Sequence, residues 1–337
     1  MKKKVLGIVL SVVMAAGLIA GCGGQNSGAG GTGDTQDGGT QEEGSGDYTV
    51  GMTLNLGNLT WAELADAAKE HGKELGISVT VQNSNDNATT QVSQIENFIQ
   101  SGVDAIIVAA VESNSVEDVC KEAQEKGIKV IAYTQVIENS DAEYLVDAYN
   151  TGYACGEEAA KWINENYGDE EIEWALQDLP KYPEIIDRAN GIKDAIEENA
   201  PNAVLVATQP AEVMEDGQNN AENFMQSNPD IKVICSIGSG GGAGANEGVK
   251  SYISKDEYDK FGIFGIDATE QEIMNIINKD PQKSSVSLGG GSVHGETLID
   301  IADNFRNGVE QEKDQYMPIT VINAENAQEY YDEHFAK

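Results

Sequence analysis

The stretch ATTQVSQIENFIQSGVDAIIVAAVESNSVEDVCKEAQEKGIKVIAYT (88–134) decides the fold class. Ala88–Gln100 reads as a helix closed by Gly102, and Asp104–Ala110 is a near-continuous apolar run, as a strand covered on both faces should be. Ser115–Lys126 reads as a second helix stopping at Gly127, and Lys129–Thr134 as the next strand. Connections this short between like-directed strands require helical crossovers, so the segment predicts a parallel, doubly wound α/β sheet.

The same rhythm extends both ways. Upstream, strand Tyr48–Asn55, helix Leu59–Leu75 ending at Gly76, and β-branched Ile77–Gln82 add two further units. Downstream come helix Gly152–Asn166, strand Ile172–Gln177, helix Glu184–Glu198 and strand Ala203–Thr208. Helix Asp216–Gln226, strand Ile231–Ile237, a helix from about Ala243 and strand Phe261–Ile266 follow. Helix Gln271–Lys279, strand Ser284–Leu288, helix Val293–Asn307, strand Ile319–Ile322 and a last helix from Ala324 complete the chain. Two sheets of four to six strands suit 337 residues better than one very large sheet.

Charge narrows the function. The chain carries 21 Lys+Arg against 57 Asp+Glu, a formal net charge of −36. Such a surface repels phosphate backbones and excludes nucleic acid as a partner. Hydrophobic residues make up 40%, too many for a disordered polyanion. Lys2, Lys3 and Lys4, an apolar stretch from Val5 to about Ala20 and then small residues have the order of a secretory signal over 1–21. Leu18-Ile19-Ala20-Gly21-Cys22 resembles the bacterial lipobox, which implies cleavage before Cys22 and a lipid anchor on it. Two acyl chains would hold such a protein stably at a membrane. Residues 23–47 hold ten Gly and five acids with no aliphatic side chain larger than Ala. They predict a flexible tether with a reach of roughly 25–30 Å.

Chemistry-bearing motifs are sparse. Cys120, Cys155 and Cys235 follow Cys22, an odd number that argues against a disulfide framework. Cys235 lies in an apolar run and is expected to be a core thiol. No GxSxG, HExxH, CxxC, GxxxxGK[ST] or DxDxDG motif occurs, so neither catalysis nor a metal or cofactor is expected.

In open parallel sheets, ligands sit beyond the carboxyl ends of the strands. The positions there are Leu56–Trp61, Tyr133–Gln135, Asp178–Arg188, Gly238–Gly242, Asp267–Thr269 and Gly289–Ser292. Trp61 offers a flat apolar wall for a sugar ring or, alternatively, a helix-packing residue. Asn58 supplies both a donor and an acceptor. Glu184 and Arg188, four apart at a helix start, form either a surface ion pair or a pair aimed at one ligand. Asp267 is a further carboxylate or a helix N-cap. The runs GSGGGAG (238–244) and GGG (289–291) are expected to open space and expose backbone N–H groups, a nest that would favour an anion.

The segments VGMTLNLGNLTW (50–61), SGVDAIIVAAVESNSV (101–116), KVIAYTQ (129–135), YPEIIDRANGI (182–192) and FGIFGIDATEQE (261–272), after a lipobox and tether, resemble the ribose/galactose type of periplasmic solute-binding protein. The resemblance covers nearly the whole chain from Tyr48. It implies the type I periplasmic-binding-protein fold, two doubly wound lobes joined by a three-stranded hinge. The implied lobes are 48–150 plus 290–318 and 151–289 plus 319–337, with crossings near Asn150, Gly289–Gly291 and Met317–Pro318. It also implies a monomeric, non-enzymatic receptor on the outer face of the cytoplasmic membrane, capturing a monosaccharide and delivering it to an ABC permease. A sensor role for a signalling system, or a phosphorylated or other polyol as ligand, are the alternatives.

By position, Trp61 matches the family's stacking aromatic, Asn58 a first-loop hydrogen-bonding residue, Arg188 the hydroxyl donor and Asp267 the second-lobe carboxylate. Tyr182 and Glu184 match the His and Asp preceding that Arg in the galactose branch. Thr134 and Gln135, after Tyr133, replace a polar pair, while Gly238 and Gly289 stand where Asn or Gln usually reaches the ligand. Val213 occupies the place of a second aromatic.

Overall fold

The computed structural model describes residues 48–57, 59–181 and 185–336. The signal segment, Cys22 and the tether lie outside them. Two six-stranded sheets form the body. The first contains β1 (Tyr48–Leu54), β2 (Ile77–Asn83), β3 (Ala105–Val108), β4 (Lys129–Tyr133) and β5 (Ala142–Leu145), with β11 (Asp314–Tyr316) returning late in the chain. Its order is β11-β5-β4-β3-β1-β2, every pair parallel. The second contains β6 (Ile172–Asp178), β7 (Ala203–Pro210), β8 (Ile231–Ser236), β9 (Gly262–Ile266), β10 (Gln282–Ser287) and β12 (Thr320–Asn323). Its order is β12-β10-β9-β8-β6-β7, parallel except that β12 runs antiparallel to β10.

Helices α1 (Leu59–Leu75), α2 (Ala88–Ser101) and α3 (Ser113–Glu125) connect the early strands of the first sheet. Helix α4 (Ala148–Tyr167) leads into the second sheet, whose crossovers are α5 (Ile186–Asn199), α6 (Met214–Ser227), α7 (Ser239–Tyr252) and α8 (Glu270–Ile277). Helix α9 (Gly291–Arg306) returns from β10 to pack on α1, and α10 (Ala327–His334) closes the chain against α8. The chain passes between sheets at 146–147, 288–290 and 317–319. The first crossing therefore precedes Asn150, which lies inside α4.

Local chemistry explains these elements. Asn87 Oδ1 accepts Thr90 N–H at 2.8 Å to start α2, and Gly102, at φ 69°, ends it in the left-handed region. β3 is buried at every residue because helices cover both faces of the sheet. Separate apolar clusters fill the two sides of each sheet. Met52, Leu64, Ile107 and Leu298 belong to one of them, and Ile95, Phe98, Ile106 and Val130 to the cluster on the opposite side of the first sheet.

Two points of the sequence reading are corrected. β5 and β11 escape the sequence reading because neither has a strand-like apolar pattern. Glu143 in β5 is buried, accepting from Ser140 Oγ and pairing with Lys313 at 3.1 Å, while its N–H donates to the Lys313 carbonyl beside β11. The helix expected from Ala243 begins at Ser239, so most of GSGGGAG is helix rather than open loop. The reason is close packing: a Cβ at Gly240 would stand 2.6 Å from the Glu212 carbonyl oxygen, one at Gly248 2.7 Å from that of Gln218, and one at Gly244 would overlap the Met214 carbonyl. The repeat at every fourth residue lets the backbones of α6 and α7 touch.

Candidate functional site

Both sheets present the carboxyl ends of their strands to a shared cavity of about 430 Å³. Tyr133, Thr134 and Val146 line it from the first sheet, with Thr60 and Glu63 from α1. Asp267, Ala268, Thr269 and Leu288–Gly291 line it from the second, with Tyr330, His334 and Phe335 from the chain's end. The strand order reverses between β1 and β3 in the first sheet and between β6 and β8 in the second, the arrangement that opens a crevice at the strand ends.

Four lining residues just past strand ends hold left-handed backbones: Thr134 at φ 64°, Asp267 at φ 100°, Ala268 at φ 45° and Gly289 at φ 91°. Such conformations cost a non-glycine residue of order 1–3 kcal/mol and gather at functional sites. They turn the chain sharply off β4, β9 and β10 and leave these residues at the cavity wall.

Arg188 is 6% exposed. Its Nη1 donates to the Ile237 carbonyl at 2.9 Å and to Asp267 Oδ1 at 3.3 Å, and its buried Nε has no partner among the described residues. Asp267 Oδ2 also accepts the Ser239 N–H at 3.1 Å, at the first residue of α7. The expected anion nest at this helix start is therefore met by the chain's own carboxylate. Gly238 sits beside it, a Cβ there being in ordinary contact with Asp267 Oδ2 at 3.7 Å.

Behind Asp267 lies Glu272, fully buried. Burial first, and the Asp267 charge second, push its carboxyl up to about 8. Donors oppose the shift: Thr269 N–H at 3.1 Å, Thr269 Oγ1 at 3.0 Å and Gln282 Nε2 at 2.9 Å. The protonated acid avoids setting two like charges side by side in a dry site.

The floor on the first sheet is aromatic. Tyr133 stacks on Tyr144 with ring centres 6.1 Å apart, and Trp61 meets Tyr133 edge-on, also at 6.1 Å. His294 packs under both tyrosines, its Nδ1 3.2 Å from the Tyr144 hydroxyl. Burial lowers the His294 imidazole to about 4, so it is neutral at ordinary pH.

Of the residues singled out from sequence, Tyr133, Thr134, Asp267 and Gly289 line one cavity. Trp61 abuts Tyr133, while Arg188 and Gly238 are joined to it through Asp267. Gln135 is not brought there: it is exposed, and its Oε1 accepts from Ser113 Oγ at 2.9 Å. Beyond β4 the backbone turns away, and α3 captures the amide. Asn58, Tyr182 and Glu184 lie outside the described residues. The sequence reading missed Glu63, His294, Tyr330 and His334. Only the aromatic cluster Tyr330-Tyr331…Phe335 offered a signal for the last group, since His294 and Glu63 look like ordinary helix positions. Among the described residues no group of His, Cys, Asp or Glu could hold a metal ion, and no helix is long and apolar enough to cross a membrane.

Known proteins agree with this architecture. The family model described as "Periplasmic binding protein domain" matches residues 50–306. The ABC transporter periplasmic-binding protein YphF of Escherichia coli is 28% identical over 247 residues, 69% of this chain and 72% of the relative. The ribose import binding protein RbsB of Bacillus subtilis is 23% identical over 275 residues, covering 81% and 86%. Among solved structures, a solute-binding protein from Bacillus halodurans with bound myo-inositol shares the fold at TM-score 0.65 and 23% identity, covering 86% of this chain and 99% of that one. With two parallel-sheet lobes meeting at one cavity and a family match across most of its length, this chain belongs to the periplasmic binding protein domain family.

Proposed function

We propose that this protein captures a neutral monosaccharide or related polyol between its lobes and delivers it to an ABC permease. One observation carries the reading: a single cavity is walled at once by Tyr133 and Thr134 of one sheet and by Asp267 and Gly289 of the other. A ligand there contacts both lobes, so its binding energy favours the closed arrangement. Asp267 accepts hydroxyl hydrogens, Arg188 holds that carboxylate in place and offers its Nε, and Tyr133, braced edge-on by Trp61, gives the apolar C–H face of a sugar a surface. Asn58, Tyr182 and Glu184 complete the ligand set by their family positions.

Neutrality of the ligand follows from Asp267, whose carboxylate already occupies the α7 N-terminus and would repel a phosphate. Relatives support the sugar class: one similar protein is named a D-xylose-binding periplasmic protein, 37% identical over 102 residues, and a structure of 21% identity holds D-allose. The chain works as a binding protein rather than an enzyme. A lipid on Cys22 and a 25-residue tether would hold the monomer at the outer face of the cytoplasmic membrane, within reach of the permease.

Thermal denaturation of the purified chain against D-ribose, D-xylose, D-allose, D-galactose and myo-inositol tests this. A ligand at 100 times its dissociation constant adds about 2.7 kcal/mol of stability. At least one sugar is expected to raise the melting temperature. No shift with any of them, together with one from inorganic phosphate, overturns the neutral-sugar reading.

A further inference from the structure

The cavity does not end at the residues expected to hold a monosaccharide. Asp267 follows β9, and its N–H donates to the Val286 carbonyl of neighbouring β10. One strand over, Leu288–Gly291 continue the cavity wall, and beyond them stand Tyr330, His334 and Phe335. Across from these, α1 contributes Thr60 and Glu63, both exposed.

The three glycines of the second crossing are bare for different reasons. Gly289 has φ 91°, which side chains resist, and a Cβ at Gly291 would overlap the Thr60 carbonyl where α9 packs on α1. Gly290 is bound by neither constraint. Its φ of −90° and ψ of 174° suit any residue, and a Cβ there would meet nothing nearer than His334 Cδ2 at 3.8 Å. The lack of a side chain at Gly290 keeps the passage between Asp267 and His334 open.

At the far side of that passage the Tyr330 and His334 rings stack, with centres 4.0 Å apart and planes 14° from parallel. The platform is held in place. The Tyr330 hydroxyl pairs with Ser287 Oγ at 2.9 Å, and that Oγ accepts the Gly289 N–H at 3.0 Å. The Tyr330 carbonyl accepts from His334 Nδ1 at 2.9 Å, leaving Nε2 as the ring's acceptor. A fixed flat aromatic surface facing exposed hydroxyl and carboxylate acceptors has the chemistry of a sugar-ring site.

We propose that the cavity carries a second subsite, walled by Tyr330 and His334 and reached over Gly290, that takes the second ring of a disaccharide. It rests on the monosaccharide reading and extends it. The volume of about 430 Å³ lies within the range of pockets that enclose ligands larger than one small ring.

Calorimetry of the full chain with matched pairs (D-xylose and xylobiose, D-glucose and cellobiose, D-galactose and lactose) tests it. For at least one pair the disaccharide is expected to bind about tenfold or more tightly than its monosaccharide. Gly290→Leu, which blocks the passage, and His334→Ala, at an exposed position that leaves folding intact, should each bring that ratio to about one. The chain has three histidines, so imidazole resonances report directly: the disaccharide should shift His334 and the monosaccharide should not. A monosaccharide that binds while every disaccharide binds no better, or ratios unmoved in both variants, overturns the subsite and leaves the sugar reading standing. If no member of any pair binds, the sugar reading falls and the subsite with it.

Discussion

Arg188 Nη1 reaches both the Ile237 carbonyl and Asp267 Oδ1, so one nearly buried guanidinium on α5 ties the end of β8 to the end of β9. The contact to Asp267 spans 79 residues of sequence. In the sugar reading proposed above, that positive fork set against a carboxylate of the cavity wall would offer donor and acceptor together.

Removing that fork should cost affinity. Arg188→Ala leaves the Ile237 carbonyl and Asp267 Oδ1 without the Arg188 donor and is expected to weaken sugar binding by about 30- to 1,000-fold, equivalent to about 2–4 kcal/mol. Arg188→Lys should fall in the same direction, since a single ammonium cannot reproduce a planar fork. Titration calorimetry with the sugar that stabilises the wild type measures both. Unchanged affinity in Arg188→Ala would remove this residue from the site.

Glu272 predicts a stability that declines toward alkaline pH. Its carboxyl, raised from 4.5 to about 8 by burial and by Asp267, keeps in the folded state a proton that the unfolded chain releases. The native state therefore binds more protons between those values, and stability falls as pH rises through them. Glu272→Gln retains an amide of the same shape and should be more stable than wild type at pH 8, with little difference at pH 4. Urea midpoints at the two pH values decide it, and an equal difference at both would show that no proton is held there.

His294 works in the opposite sense. Burial lowers its imidazole from 6.5 to about 4, so the unfolded chain binds the extra proton between those values. Its contribution is complete above pH 6.5 and fades as pH falls toward 4, a loss of about 3 kcal/mol by linkage. His294→Phe should lack this acid-side loss while giving up the Tyr144 contact at 3.2 Å. The stability difference between wild type and variant, followed from pH 7 to pH 4, should narrow or reverse; a constant difference would contradict the assignment.

The α6–α7 seam should resist any added carbon. Gly244→Ala places a methyl on the Met214 carbonyl and is expected to destabilise by about 1–3 kcal/mol through overpacking. Thermal denaturation measures the loss. A melting temperature equal to wild type would mean the helices are further apart than described.

Much of this was legible from local pattern. The run AIIV (105–108) announced a strand covered on both faces, and Gly102 and Gly127 marked helix ends through their left-handed backbones. Asp267 and Gly289 were placed by the rule that sites lie at strand ends, and both line the cavity. What failed was reading glycines as openness. In GSGGGAG they serve helix contact, and a string of glycines looks the same whether it faces solvent, a ligand or another backbone. Gln135, by the same logic, was one residue too far past β4, where the chain has already turned toward Ser113.

Alternation of apolar runs with capped helices determined by itself that two parallel α/β sheets would form, because the periodicity of a strand or helix and the chemistry of its ends are written in consecutive residues. The charge of −36 is likewise a property of the sequence alone, and it sets the expectation of a surface that repels nucleic acid. Only the tertiary structure decided that Asp267 would share its surroundings with Arg188, Ser239 and Glu272, and that the end of the chain would wall the same cavity as Tyr133. Those neighbours are brought together by helix crossings and sheet order, and the resulting burial, not the residue types, sets which carboxyl keeps its proton and which face meets a ligand.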